Sequence, residues 1–137
     1  MGVSYDISVS LVLLENDECA KSLLAEIEWL PYETTEICQD APYDAMPHQD
    51  VVHIFIGGYG SHENIAETDK LLRQLGTRAI EGTVAEYRFE SENGFILLGP
   101  TEADRLKAGL SYAKAKTSDL LRRIPLEAAI NPPSLTP

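Results

Sequence analysis

The stretch VVHIFIGGYGSHEN, residues 51–64, decides the predicted fold because it joins a strand signal, a turn signal and a helix start. Residues 51–56 are apolar apart from His53, which is typical of a central strand with two covered faces. Three glycines follow, and Ser61 is a favourable N-cap for a helix. We therefore predict a strand over 51–56, a glycine loop over 57–61 and then a helix.

Upstream, residues 5–13 alternate between apolar and polar side chains, which predicts a strand with one buried face. Asn16 or Asp17 is placed to cap a first helix, which Pro31 ends. Residues 33–38 are rich in Thr and Glu, so they predict a polar edge strand.

Downstream, Gly76 is predicted to end the second helix in the left-handed cap position. A strand over 78–90 is expected to be interrupted by a bulge near Ala85 or a break at Gly82. The pair Asn93-Gly94 predicts a two-residue hairpin turn. Thr101 and Asp104 resemble a capping box at the start of an amphipathic helix of about 22 residues. The apolar stripe of that helix is Leu106, Leu110, Ala113, Thr117, Leu120 and Ile124.

The predicted order β-α-β-β-α-β-β-α indicates an α+β fold. Its first six elements match a ferredoxin-like split βαβ sandwich, extended by a hairpin strand and a long C-terminal helix. In that topology the strands at Tyr5 and Val51 are central. We expect one domain over residues 1–125 and an extended or mobile tail over 126–137.

Charge is distributed unevenly along the chain, which carries a net charge of −11. Residues 1–69 contain 14 carboxylates against Lys21 alone, a net of −13, whereas residues 70–137 contain 8 acids and 10 bases, a net of +2. The first half would repel phosphate backbones, so direct nucleic-acid binding is not expected. The acids either solubilise the surface or form a face that meets a basic partner.

Neither a membrane span nor a secretory signal is apparent, so we expect a cytoplasmic protein that does not bind membranes. Cys19 and Cys38 are expected to be reduced thiols in that compartment. The spacing of His48, His53 and His62 matches no metal motif, and His53 is interpreted as a strand histidine satisfied within the sheet. We predict no metal, no cofactor and no enzymatic activity, because no acid, base and nucleophile fall at motif spacing.

The glycine stretch is a candidate anion site, because a glycine-rich turn at a helix N-terminus presents free N–H groups. Its residues are Tyr32, Gly57, Gly58, Tyr59, Gly60, Ser61 and His62, with Tyr5 as a neighbour. The stretch holds no lysine and matches neither GxGxxG nor the P-loop. A purely structural turn is the simpler interpretation.

The acidic half carries our principal functional hypothesis, a non-enzymatic inhibitor or regulator that occupies a basic, nucleic-acid-binding surface of a protein partner. Phage anti-defence proteins and toxin-immunity proteins are classes that suit this charge distribution. The predicted contact residues are Glu26, Glu28, Glu33, Glu36, Asp40, Tyr43, Asp44 and Asp50. The loop over 40–50 is either an anchor for the partner or a solvated linker. A sensor of an anionic metabolite at residues 57–61 is the alternative function.

The long third helix has two interpretations, since six apolar positions form too large a stripe to leave in water. Packing of the stripe on the chain's own sheet is the first expectation. Packing against a second copy in a homodimer is the alternative.

Overall fold

The computed structural model describes residues 2–40 and 48–130. Over these residues the chain forms five strands and three helices. In chain order they are β1 (Val3–Leu14), α1 (Glu18–Glu28), β2 (Thr34–Asp40), β3 (Gln49–Gly60), α2 (His62–Gly76), β4 (Thr83–Phe89), β5 (Glu92–Leu98) and α3 (Glu102–Ile130).

The strands form one antiparallel sheet in the order β2-β3-β1-β4-β5. The predicted α+β class is therefore confirmed, and so are the central position of β1 and the edge position of β2. The order of the whole sheet is not that of a four-stranded ferredoxin-like sheet, because β5 extends it beyond β4. The ferredoxin-like detail is not confirmed.

The core lies between one face of the sheet and the helices α1 and α2. The odd-numbered residues 5–13 of β1 are buried there, as the alternation predicts. Ile54 and Ile56 of β3 point to the same side as their β1 partners. From the helices, α1 contributes Ile27 and α2 contributes Leu72. These two side chains are fully buried.

The predicted glycine loop is wrong, because Gly57 to Gly60 belong to β3 and pair with residues 3–6 of β1. The glycines serve close packing instead. Gly58 has φ +127°, and a Cβ there would lie 2.9 Å from Cβ of Glu33. A Cβ on Gly60 would lie 2.7 Å from the ring of Tyr32. The glycines thus let the segment entering β2 cross closely over β3.

The hairpin between β4 and β5 is present, but its turn lies at Glu90 and Ser91. Glu90 takes the positive φ of 55° there. Asn93 and Gly94 lie inside β5, where Gly94 pairs with Tyr87 and leaves room for its ring. The Asn-Gly turn prediction is therefore wrong. The glycine is needed inside the strand because a neighbouring side chain lies too close to allow a Cβ.

Gly76 differs from expectation, whereas the break expected at Gly82, one of two alternatives for that strand, is present. Gly76 is the last residue of α2, and among the described glycines the positive φ belongs to Gly58, so Gly76 is not a left-handed cap. A Cβ on Gly76 would lie 3.0 Å from Cβ of Leu98. The predicted strand over 78–90 begins only at Thr83, after Gly82, whose Cα is covered by the backbone of Asp104.

Helix α3 begins as predicted, because the N–H of Asp104 donates to Oγ1 of Thr101 at 3.1 Å. It contains 29 residues and runs through Ile130, so residues 126–130 of the predicted tail are helical. Residues 131–137 lie outside the described part of the chain. At 1.5 Å per residue the helix is roughly 43 Å long, whereas a seven-residue strand spans about 23 Å.

Helix α3 lies on the opposite face of the sheet from α1 and α2, over β4 and β5. Gly109 meets Leu97, and the rings of Tyr112 and Phe95 are 5.3 Å apart. The apolar stripe does not face the sheet, since Leu110 is 72% exposed. Leu106 and Leu120 are exposed as well. The prediction that the stripe packs on the chain's own sheet is wrong, because Gly109 and Tyr112 occupy the sheet-facing side of α3.

Candidate functional site

A groove runs along the outer edge of β2, beside α1. The order of the sheet places β2 at its end, and no other strand of the described chain pairs with the outer edge. The groove has a volume of about 690 Å³. Its lining consists of Lys21, Leu24, Ala25 and Glu28 from α1 and residues 35–39 from β2. The backbone of an edge strand is thus accessible between a helix and solvent.

The predicted contact residues divide between this groove and its surroundings. Glu28 and Glu36 line the groove. Glu33 is exposed just before β2, and Glu26 is exposed on α1. Asp40 is the last residue of β2. The remaining predicted contacts are Asp50, which is half-buried in β3, and Tyr43 and Asp44, which lie outside the described residues.

Negative charge is concentrated around the groove. From residue 18 to residue 40 the chain has six carboxylates against Lys21, a net of −5. Lys21 Nζ is 3.4 Å from Oε1 of Glu18, so an acid of the same helix already faces this base. The C-cap of α1 is Trp29, which is 86% exposed. Trp29 was not among the residues predicted from the sequence, although a large aromatic beside exposed acids is a common feature of protein interfaces.

Asp17 has a structural role, although it is acidic and close in sequence to the residues that line the groove. Its Oδ1 accepts the N–H of Ala20, which confirms it as the helix cap. Its Oδ2 accepts from Nε of Arg78 at 2.8 Å. This hydrogen bond from Arg78 is the main reason that the pKa of Asp17 is lowered from its ordinary value. Both carboxylate oxygens are therefore occupied by hydrogen bonds, one within α1 and one with the segment before β4.

The open face of the sheet carries a row of polar side chains that sequence analysis did not assemble. Ser10 and Cys38 flank His53 on the neighbouring strands β1 and β2. Oγ of Ser10 lies 2.6 Å from Nδ1 of His53, as expected for a strand histidine satisfied within the sheet. A shallow cavity of about 380 Å³ covers this row. The register of adjacent strands, which the sequence did not give, creates the cluster.

Acyl-transfer chemistry would need more than the Ser10 and His53 pair. Such chemistry requires N–H or side-chain donors aimed at a developing oxyanion. Both β1 and β3 are interior strands, so their peptide N–H groups point into the sheet ladders. We therefore interpret the row as part of the surface beside the groove, with Glu36 and Glu86 as its nearby acids.

The residues of the predicted anion site do not surround a common cradle. Gly57, Gly58 and Gly60 lie in the sheet. Ser61 does cap α2, since its Oγ accepts the N–H of Asn64 at 3.1 Å. Tyr59 is exposed. The predicted role in anion binding stays a prediction, and the geometry adds no support for it at these residues.

Tyr32 and Tyr5 do come together near the glycines, as predicted. Their ring centroids are 6.1 Å apart, and that of Tyr87 is 6.4 Å from Tyr5. The hydroxyl groups of Tyr32 and Thr68 are 3.0 Å apart. Burial raises the pKa of both Tyr5 and Tyr32, so both phenols stay protonated at neutral pH.

A second cavity, of about 480 Å³, lies between α2 and the strands β4 and β5. Tyr5 and Phe89 belong to its wall, and the ring of His62 is 6.2 Å from that of Phe89. Arg73 also lines it and is paired with Asp69 at 2.9 Å. Sequence analysis included His62 but missed Arg73, which lies three turns further along α2. Helical spacing on one face is the signal that could have found it.

Among residues 2–40 and 48–130, no group of three or more His, Cys, Asp and Glu side chains could hold a metal ion. In the same part of the chain, no helix combines the length and apolarity needed to cross a membrane. Comparison of the chain with protein-family models, with curated proteins and with solved structures gave no significant match.

Proposed function

We propose that this protein is a non-enzymatic, acidic binding protein that inhibits or regulates a protein partner by occupying its basic, nucleic-acid-binding surface. The observation that carries the proposal is the concentration of exposed carboxylates along α1 and β2, a net charge of −5 over residues 18–40, next to a sheet edge with which no other described strand pairs. Glu28, Glu36 and the exposed Trp29 are its principal contact residues.

The physical basis is charge complementarity together with one aromatic anchor. A cluster of one sign steers an oppositely charged partner and suppresses binding of acidic competitors. Trp29 supplies a large apolar area, and tryptophan is enriched among the interface residues that contribute most to affinity. The same charge disfavours direct contact with nucleic acid. Phage anti-defence proteins and toxin-immunity proteins remain the classes that suit this description.

The test begins with immobilised protein in a nuclease-treated lysate of the organism that encodes it, eluted with a salt gradient. A captured partner is then bound to a fluorescent oligonucleotide, and displacement is followed by anisotropy. We expect the wild type to displace the oligonucleotide, and the double variant Glu28→Lys, Glu36→Lys to need at least tenfold more protein. The matched control is Glu67→Lys, Glu81→Lys, two exposed acids on α2 and before β4 with the same change in net charge.

The variant Trp29→Ala provides a second test of the proposal, one that does not change the charge of the protein. Because the side chain is exposed, its truncation should leave the thermal midpoint nearly unchanged while weakening the partner complex. Displacement that is equal for wild type and both variants, or that is insensitive to salt, would contradict the proposal.

The alternative function is a sensor of a small anionic metabolite. For this function, the cavity beside α2 is a better binding site than the glycine residues. The cavity volume is within the range typical of ligand pockets, and its wall combines aromatic rings with His62 and Arg73. A thermal-shift screen of phosphates, nucleotides and amino acids tests this alternative. A ligand at 100 times its dissociation constant should stabilise the protein by about 2.7 kcal/mol, and Arg73→Gln should abolish that shift.

Three further proposals accompany the function. We propose a cytoplasmic location, which the chain's two exposed cysteines suit. We propose a split βαβ arrangement for the elements from β1 to β4, which the flanking of β1 by β3 and β4 supports.

A homodimer is favoured by the exposed leucines of α3, and light scattering after gel filtration tests it.

A further inference from the structure

We infer that the groove along β2 binds an extended, basic segment of the partner, which adds to the sheet as a sixth strand beside β2. This inference rests on the proposed function and specifies its mode of binding. Strand addition is a recurring way in which a sheet edge recognises a peptide, with main-chain hydrogen bonds giving affinity and side-chain contacts giving specificity.

The geometry of the edge supports strand addition. β2 is seven residues long, so it offers about 23 Å of backbone to an added strand. Its register with β3 is continuous from Thr34 to Asp40, so the strand is regular and half of its peptide groups point away from β3. Residues 35–39 of β2 line the groove, and α1 forms the opposite wall.

The chemistry of the walls specifies a basic occupant. Alternate side chains of an added strand would point to opposite faces of the sheet. On the helix side they would meet Glu28 and Lys21, and the Nζ of Lys21 is already 3.4 Å from Oε1 of Glu18. On the open side they would meet Glu36, which lines both the groove and the open-face cavity. Each face of the added strand therefore meets a carboxylate, which favours lysine or arginine at neighbouring positions.

The surface of β2 also distinguishes it from a protected edge. Natural edge strands are often protected by lysines, prolines or bulges. β2 has none of these, and its acids repel acidic chains while leaving the edge open to basic ones. Pairing selective for basic segments is the expected consequence.

The experiment uses the full chain and three synthetic nine-residue peptides that alternate Lys-Lys with Thr-Val. The first has an unmodified backbone, the second carries N-methyl groups on its odd-numbered residues, which block one edge, and the third carries them on residues 4, 5 and 6, which block both edges. All three have the same charge. Binding is measured by isothermal calorimetry, and amide exchange of residues 34–40 is followed by NMR.

We expect the unmodified peptide to bind and to protect alternate amides of β2. The peptide methylated on both edges should bind at least tenfold more weakly, because neither of its edges can pair fully with β2, while the peptide methylated on one edge should bind like the parent through its free edge. Glu28→Lys, Glu36→Lys should abolish binding, and the control Glu67→Lys, Glu81→Lys should retain it.

The outcomes separate the two proposals. Equal binding of all three peptides, combined with loss in the Glu28→Lys, Glu36→Lys variant, would overturn strand addition and leave the acidic contact surface standing. Absence of binding to any peptide would also overturn strand addition, while the oligonucleotide displacement test would still decide the proposed function. If charge reversal fails in both experiments, both proposals are overturned.

Discussion

The two ends of the sheet differ in charge, packing and accessibility. At one end, β2 lies beside α1, which buries Leu24 and Ile27 and exposes three carboxylates against one lysine. At the other end, β5 lies beneath α3, which carries basic residues and exposes Leu106, Leu110, Leu120 and Leu121. Both ends have an edge strand and a helix, so the presence of these elements does not determine what each end can bind.

The difference shows that a helix can be amphipathic without packing by its apolar stripe. In α1, Leu24 and Ile27 face the core as their spacing predicts. In α3, Ala108, Gly109 and Tyr112 face the sheet, because small residues let the helix approach β5 closely. The leucines of α3 consequently contribute little to the stability of the single chain, whereas those of α1 and α2 hold the core together.

The largest expected effect compares the two helices directly. Ile27→Ala removes a fully buried side chain from α1 and should lower the free energy of unfolding by about 2–5 kcal/mol. Leu110→Ala on α3 is the matched control, and its effect should stay within about 0.5 kcal/mol because the side chain is already in water. Urea unfolding followed by circular dichroism measures both. Equal losses would show that α3 is buried in solution, as in a homodimer.

The next effect concerns two glycines near the pairing of β1 with β3. Gly58→Ala places a Cβ against Glu33 at a φ that favours glycine, so a loss of about 1–3 kcal/mol is expected. Gly2→Ala provides a control, because its Cβ, just before β1, would lie 3.2 Å from Cβ of Tyr59 and 3.6 Å from the carbonyl oxygen of Gly60, without a positive φ. A Gly58→Ala variant as stable as the wild type would show that the segment before β2 can move away from β3.

Much of this contrast was predictable from the sequence, because the period-two pattern of β1 and the capping residues Asp17, Ser61 and Thr101 depend on local chemistry. The role of each glycine was not predictable in the same way. Gly60 and Gly94 sit opposite the rings of Tyr32 and Tyr87, contacts that exist only after distant segments have packed.

The candidate site shows the same division between local and non-local information. The acids of α1 and β2 are visible as a charge pattern, and so the sequence predicted Glu28 and Glu36. The groove between them depends on the sheet order, and the row containing Ser10 and His53 depends on strand register. The exposed face of α3 depends on which of two helical stripes packs on the sheet, and amphipathicity alone favoured the wrong one.

A third effect compares the helix starts on either side of the sheet. Ser61→Ala removes the acceptor for the N–H of Asn64 in α2, and Thr101→Ala removes the acceptor for the N–H of Asp104 in α3. Each should cost about 1 kcal/mol. Because α2 belongs to the core, Ser61→Ala should appear in the global unfolding midpoint. Thr101→Ala should appear first as faster amide exchange at the start of α3, and the reverse pattern would contradict the proposed difference in packing.

The smallest effect tests the ion pair between Asp17 and Arg78, which ties the acidic end to the segment before β4. Asp17→Asn keeps a good N-cap but removes both the charge and the oxygen that accepts from Arg78. Arg78 is partly exposed, so water screens the pair. The folded-state pKa of Asp17 is lowered, which means that its charge stabilises the fold above the unfolded pKa near 3.8. This contribution is lost as the pH falls through the folded pKa.

The thermal midpoint of the wild type should therefore exceed that of Asp17→Asn at pH 7, and the gap should close as the pH falls below 3.8. Glu26→Gln, an exposed carboxylate of the same helix, is the matched control and should give no comparable gap. Because Arg78 is the main cause of the lowered pKa, Arg78→Met should remove most of the pH dependence that Asp17→Asn removes. A gap that persists below the folded pKa would assign the effect of Asp17→Asn to the cap geometry instead of to its charge.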